Sequence, residues 1–143
     1  MRKIGTTLGI AAVAVVATAM PASAYPNQTL NPDTGPAGSH TLGYHYANSN
    51  GGGGYIRWIG RDACTGTTSD IDYGEASFSQ ESANDEISSF SDYNYCDTKW
   101  YINSSYGGAA YGYVNAGEGS PNNLPTNYGG TRFYDEVSSV RWS

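Results

Sequence analysis

The sequence predicts an all-β fold, a sandwich of two related motifs preceded by a flexible arm. Three observations predict it. From Thr41 onward no stretch carries apolar residues at i, i+3, i+4 and i+7 for long enough to make a helix. Short segments of period-two or β-branched and aromatic character stand there instead, separated by Gly, Asn, Asp and Ser. Two of these segments also recur further along the chain, in the same order.

The elements follow in order. Arg2 and Lys3 precede an almost uncharged run rich in Ala and Val, and Ala22-Ser23-Ala24 supplies the small-x-small pattern of a cleavage site. Residues 1–24 therefore read as a secretory signal peptide. The run is too short for a comfortable membrane span, and no second span follows. Residues 25–40 hold Pro26, Pro32 and Pro36 with Leu30 as the single aliphatic residue, and read as an extended polar arm. Within 41–143, strands are expected where Leu42, Tyr44 and Tyr46 alternate, and at Tyr55-Ile56-Arg57-Trp58-Ile59. Others are expected at Lys99-Trp100-Tyr101-Ile102, at Thr131-Arg132-Phe133-Tyr134 and from Val137 to Trp142. Tyr46-Ala-Asn48-Ser49-Asn50-Gly-Gly-Gly53 aligns with Tyr101-Ile-Asn103-Ser104-Ser105-Tyr-Gly-Gly108. Asp85-Glu-Ile-Ser88-Ser89-Phe90 aligns with Asp135-Glu-Val-Ser138-Ser139-Val140, so the copies run over about 41–95 and 96–143.

Composition sets what the core and the surface can be. Beyond residue 24 there are only eleven Leu, Ile and Val residues, against 13 Tyr, 3 Trp and 3 Phe. A core has to be aromatic, each ring burying a large area at the entropy of two torsions. The whole chain carries a net charge of −6, and loss of Arg2 and Lys3 makes it more negative. The five remaining cations are scattered among 13 carboxylates, which excludes a nucleic-acid-binding patch and disfavours anionic membranes. Cys64 and Cys96 are the only cysteines; in an exported chain they pair. The bridge would close a loop of about 30 residues, worth roughly 3–4 kcal/mol.

Tyr101, Tyr106 and Gly108, followed some 30 residues later by Ser138 or Ser139, reproduce the aromatic-x4-aromatic-x-Gly…Ser motif of the βγ-crystallin family. Tyr46 and Gly53 match it partly, with Gly51 where the second aromatic belongs. The chain thus resembles that family, whose unit is a four-stranded Greek key used in pairs, over residues 41–143. Microbial members carry a calcium signature, (Asn/Asp)-(Asn/Asp)-x-x-(Ser/Thr)-Ser. Asn84-Asp85-Glu86-Ile87-Ser88-Ser89 satisfies it throughout, while Tyr134-Asp135-Glu136-Val137-Ser138-Ser139 departs at its first position. The resemblance implies Ca²⁺ held by Asn84, Asp85, Ser88 and Ser89, and at a second site by Asp135 and Ser138. Hard Ca²⁺ takes six to eight oxygens, and the missing ones would come from the facing Asn/Ser-rich hairpins.

No catalytic constellation is evident. His40 and His45 are the only histidines and have no metal-ligand spacing, and there is no Gly-x-Ser-x-Gly elbow. The expected function is that of a secreted, extracellular, non-enzymatic binding protein, monomeric when free. Small secreted proteins of this type resemble actinomycete metalloproteinase inhibitors and killer-toxin-like proteins. An inhibitor of a secreted protease is the first expectation, with loops 51–54 and 117–128 as binding surfaces. An antimicrobial protein and an adaptor using the arm are its rivals; the negative charge argues against the former.

Overall fold

The computed structural model describes residues 25–143, so the expected signal peptide, 1–24, lies outside the described residues. Among the described residues nine strands carry the fold: β1 (Gln28–Leu30), β2 (His40–Asn48), β3 (Gly52–Gly60), β4 (Tyr73–Glu75), β5 (Ser89–Asp92), β6 (Thr98–Asn103), β7 (Gly107–Val114), β8 (Asn122–Asn123) and β9 (Ser139–Trp142). The one helical element among the described residues is a 3-10 turn, Ser49–Gly51. No helix among them is long and apolar enough to cross a membrane.

The strands form two sheets, ordered β1-β3-β2-β5-β8 and β4-β9-β6-β7. The first copy supplies β2, β3 and β5 to the first sheet, but its third strand, β4, lies in the second beside β9. The second copy returns the exchange: β6, β7 and β9 lie in the second sheet and β8 in the first, beside β5. The registers match as well. Tyr46 faces Tyr55 and Asn48 faces Gly52; Tyr101 faces Ala110 and Asn103 faces Gly107.

The core between the sheets is aromatic, as the composition requires. Trp58, Trp100, Trp142, Phe78, Phe90 and Phe133 are fully buried. At their centre is His45 of β2, its ring 4.3 Å from that of Trp100 and 5.5 Å from that of Trp142. Trp58 Nε1–H donates to His45 Nδ1 at 2.8 Å, and burial pushes the His45 pKa well down, so the ring stays neutral. The even alternation expected of Leu42, Tyr44 and Tyr46 is broken by a register shift between Thr41 and Gly43. That bulge lets Leu42 and His45 both be buried while Tyr44 and Tyr46 face outward.

Two expectations need correction. The arm is docked rather than flexible: β1 pairs in parallel with β3, Gln28 to Leu30 against Ile56 to Trp58. On either side, Asn27 Oδ1 accepts the Tyr55 N–H (3.1 Å) and Asn31 Nδ2 donates to the Ile59 carbonyl (2.7 Å). The Asn residues that read as loop-formers thus saturate an edge that would otherwise be open to other chains. Further on, Thr34 and Gly74 exchange backbone hydrogen bonds with the second sheet. Nor is Thr131–Tyr134 a strand: only Thr131 makes a β-bridge, to Tyr128, and the N–H groups of Phe133 and Tyr134 both go to the Pro125 carbonyl. That turn carries Phe133 into the core.

Cys64 and Cys96 are joined, with Sγ–Sγ 2.02 Å and Cα–Cα 4.9 Å, and tie the segment after β3 to the connection between the copies.

Candidate functional site: two crossed turns and two clamped hairpins

Each copy ends its β-hairpin in a fold that needs left-handed backbone. Asn50, Gly51 and Gly53 have φ of 57°, 75° and 76°; Ser105, Tyr106 and Gly108 have 57°, 60° and 74°. A serine from the later strand clamps each fold. Ser89 Oγ donates to the Asn48 carbonyl (2.6 Å) and accepts the Gly51 N–H (3.0 Å). Ser139 Oγ donates to the Asn103 carbonyl (2.7 Å) and accepts the Tyr106 N–H (3.0 Å). Between Ser138 and Ser139, the clamp is therefore Ser139. Ser89, expected at the cation site, serves its hairpin.

The two acidic hexamers face each other. Asp85 N–H donates to the Val137 carbonyl (3.2 Å) and Asp135 N–H to the Ile87 carbonyl (3.0 Å), with φ of 57° at Asp85 and 55° at Asp135. Their side chains cross between copies: Ser138 Oγ reaches Asp85 Oδ1 at 3.4 Å, and Ser88 Oγ reaches Asp135 Oδ1. Neither hexamer closes on itself, as the signature alone would suggest. Ser88 Oγ is also 2.8 Å from the Ala47 carbonyl. The Ser88 hydroxyl has one proton for these two acceptors, and it gathers a carboxylate and a carbonyl oxygen around it. Such an oxygen cluster suits a hard cation.

The surroundings of the two pairs differ. Asp85 and Ser138 open on a hollow of about 560 Å³, lined also by Asn103, Thr131, Arg132 and Glu136. Asn84 Nδ2 donates to Asp85 Oδ2 at 2.7 Å. Arg132, which also lines that hollow, pairs with Asp135, 3.8 Å from its Oδ2. Tyr134, which breaks the second signature, bonds through its hydroxyl to Ser49 Oγ of the first hairpin (2.8 Å). Tyr25 closes this end of the molecule: its hydroxyl donates to the His45 carbonyl at 3.0 Å, and burial, with Glu86 and Asp135 adding to it, pushes the phenol up. Among the described residues no three His, Cys, Asp or Glu side chains converge, so a cation here would depend on hydroxyl and carbonyl oxygens.

The two loops expected to bind a partner, 51–54 and 117–128, meet at the edge of the first, through Gly51 and through Asn50 just before it. Asn50 N–H donates to Asn123 Oδ1 (2.7 Å), and Asn123 Nδ2 to Asn50 Oδ1 (3.0 Å). A Cβ on Gly51 would come within 2.9 Å of Pro121 Cγ. Asn50, Ser120's neighbour Pro121, Asn122 and Asn123 all stay exposed. Sequence reasoning named both loops but had no signal that β8 would cross to the first sheet and join them.

The histidines are placed away from this surface chemistry. His45 is sealed in the core, and His40 is exposed with Nδ1 2.5 Å from the Arg61 carbonyl. Two carboxyl groups are displaced from their ordinary range. Burial pushes Asp92 up to about 7, against hydrogen bonds from the Thr98 hydroxyl and the Ala116 N–H. Burial, then a hydrogen bond shared with Asp33 of the arm, pushes Glu75 up to about 8.

Comparison with protein-family models, with curated proteins and with solved structures gives no match for this chain.

Proposed function

We propose that this chain is a secreted, non-catalytic binding protein on a βγ-crystallin-like pair of Greek keys, and that it inhibits a secreted metalloprotease through the joined 50–51 and 120–123 tips. The mutual exchange of β4 and β8, with a serine clamp in each hairpin, supports the scaffold. The observation that carries the function is the reciprocal Asn50–Asn123 pair. It fixes two exposed loops in one conformation, which removes part of the ordering cost of binding. The adaptor reading loses its free strand, since the arm is already paired in cis with β3.

Calcium belongs to the proposal as a structural ion. Asp85 and Ser138 would hold it at the open pair; Asp135 and Ser88 form the weaker set, because Arg132 already neutralises Asp135. A divalent cation there would tie the copies together and stiffen the surface beside the tips.

The test is a panel of secreted zinc proteases and serine proteases assayed with the purified chain. Inhibition of the zinc enzymes, weakened by Asn123→Ala without loss of folding, is expected. No inhibition of any protease, or inhibition indifferent to Asn50 and Asn123, overturns the reading.

A further inference from the structure

The outer faces of the two sheets both carry tyrosines but finish them differently. On the second sheet Arg141 of β9 lies over the Tyr106 ring at 3.9 Å and reaches Tyr101 at 5.8 Å. Lys99 of β6 lies 5.7 Å from the Tyr101 ring and 5.4 Å from that of Tyr113. Register carries Lys99 onto Tyr44 and Arg141 onto Ser91, since Lys99 faces Arg141 as Tyr44 faces Ser91. Tyr46 takes the place of Tyr101, Gly51 that of Tyr106 and Tyr44 that of Lys99, so the first sheet builds its own ring cluster, with no cation in the Arg141 or Lys99 place. Tyr44 stacks near Tyr46 (6.0 Å, 11°), and Tyr55 and Tyr93 close on it at 5.3 and 5.6 Å. All four are half-buried. Arg57, opposite Tyr44, is drawn away by two hydrogen bonds to Thr41 Oγ1 (2.9 and 2.7 Å). Among the described residues no Lys or Arg lies over any of these rings.

The charge around this face suits a cation. Tyr93 and the 74% exposed Tyr95 share a small cleft with Glu118, and the whole chain is net negative. A tyrosine face attracts a guanidinium or ammonium through its ring quadrupole, more strongly as water is excluded.

We infer that the outer face of the first sheet, Tyr44, Tyr46, Tyr55 and Tyr93, docks a basic protein surface whose Arg or Lys side chains lie on these rings in trans, as Arg141 and Lys99 lie on Tyr101, Tyr106 and Tyr113 in cis on the second sheet. This rests on the chain being a binding protein and adds a second surface, apart from the 120–123 tips, together with the chemistry of its partner.

The experiment titrates the chain from residue 25 onward with tri-arginine peptide. About 1 M salt, where the Debye length is roughly 3 Å, suppresses diffuse attraction to the acidic surface. One peptide should bind, and Tyr44→Ala with Tyr55→Ala should weaken it by about five- to thirtyfold. Tyr44→Lys, which copies Lys99 and fills the platform in cis, should weaken it without opening a cavity. Arg141→Ser with Lys99→Ala should uncover the twin face and raise the stoichiometry to two. Unchanged affinity in Tyr44→Lys, a stoichiometry that stays at one when both Lys99 and Arg141 are replaced, or a neutral cello-oligosaccharide that competes for the same tyrosines would overturn the inference. So would a tyrosine-dependent dimer that forms without peptide. Protease inhibition measured on the same variants separates this surface from the tips: it should be unchanged.

Discussion

The two copies share a backbone and differ in what they place on it. Both clamp a left-handed hairpin fold with a buried serine. At three related positions the choices diverge: Gly51 against Tyr106, Asp92 against Trp142, and Ser91 against Arg141. The first difference has a neighbour that explains it. Pro121, brought across by the exchanged β8 segment, occupies the space over Gly51. Tyr106 has no such neighbour; its ring meets Arg141 and Tyr101, and its hydroxyl meets Thr34 of the arm. A duplicated unit can therefore keep its fold through a few backbone-directed hydrogen bonds while its side chains specialise: Tyr106 of one copy meets the arm, and Gly51 of the other leaves room for Pro121.

The buried acids give the comparison its largest expected effect. Asp92 sits where the second copy has a tryptophan, and Glu75 stands on the exchanged β4. Both folded pKa values, about 7 and about 8, lie above the ordinary 3.8 and 4.5. The folded chain therefore holds protons that the unfolded chain releases. Stability is full below about pH 4 and is lost as pH rises through 7 and 8, by up to roughly 1.4 kcal/mol per pH unit and group. Melting temperatures at pH 5 and pH 8.5 should show the higher value at pH 5. Asp92→Asn should flatten the part of the profile below pH 7, and a profile that rises towards pH 8.5 would refute the assignment.

Calcium comes next. A cation bound only by the folded chain raises stability by about 2.7 kcal/mol at a hundredfold excess over its Kd. Because the pairs cross between copies, Asp85→Ala and Ser138→Ala should abolish the same component of the shift, and combining them should remove no more. Asp135→Ala should have the smaller effect, since Arg132 already sits beside it. Thermal melts in millimolar calcium and magnesium at equal ionic strength decide this: equal shifts for the two metals would leave only a screened acidic surface.

The serine clamps should weigh equally. Ser89→Ala and Ser139→Ala each leave a partly buried N–H and a carbonyl without their hydroxyl partner, for a loss of about 1 kcal/mol. Chemical denaturation of the pair of variants measures the symmetry directly. A large loss in one and none in the other would mean that the copies are clamped differently.

How much of this the sequence carries depends on how local each feature is. β2, β3, β6 and β9 were legible because β-branched and aromatic residues alternate within them. β7, Gly107–Val114, is diluted by Gly and Ala and leaves no periodic signal. β4 and β8, three and two residues long, exist because another copy's edge receives them, which no local pattern records. The arm was misread for the same reason: its Asn and Pro residues signal a loop, and only the open edge of β3 makes Asn27 and Asn31 into caps. At the candidate site, Asp85 and Asp135 could be named from their hexamers, whereas the crossing to Ser138 and Ser88 follows from how the copies face each other.

The smallest effect probes the first difference, Gly51 against Tyr106. A non-glycine residue in left-handed backbone costs roughly 1–2 kcal/mol, and Tyr106 bears that at φ 60°. Tyr106→Gly relieves it but loses the stack under Arg141, so the two nearly cancel and the net loss should be about 1 kcal/mol or less. The loss should appear locally: with the Thr34 contact gone, amide exchange at Thr34 should quicken while the core strands stay protected. Gly51→Tyr should be worse, because its Cβ meets Pro121 Cγ at 2.9 Å as well as bearing the backbone strain. If Pro121 is what keeps the first copy from carrying the second aromatic, adding Pro121→Gly to Gly51→Tyr should recover part of the stability. Denaturation of the two single variants and the double variant closes that cycle. A double variant no more stable than Gly51→Tyr alone would place the restriction in the backbone at position 51, not in the exchanged strand above it.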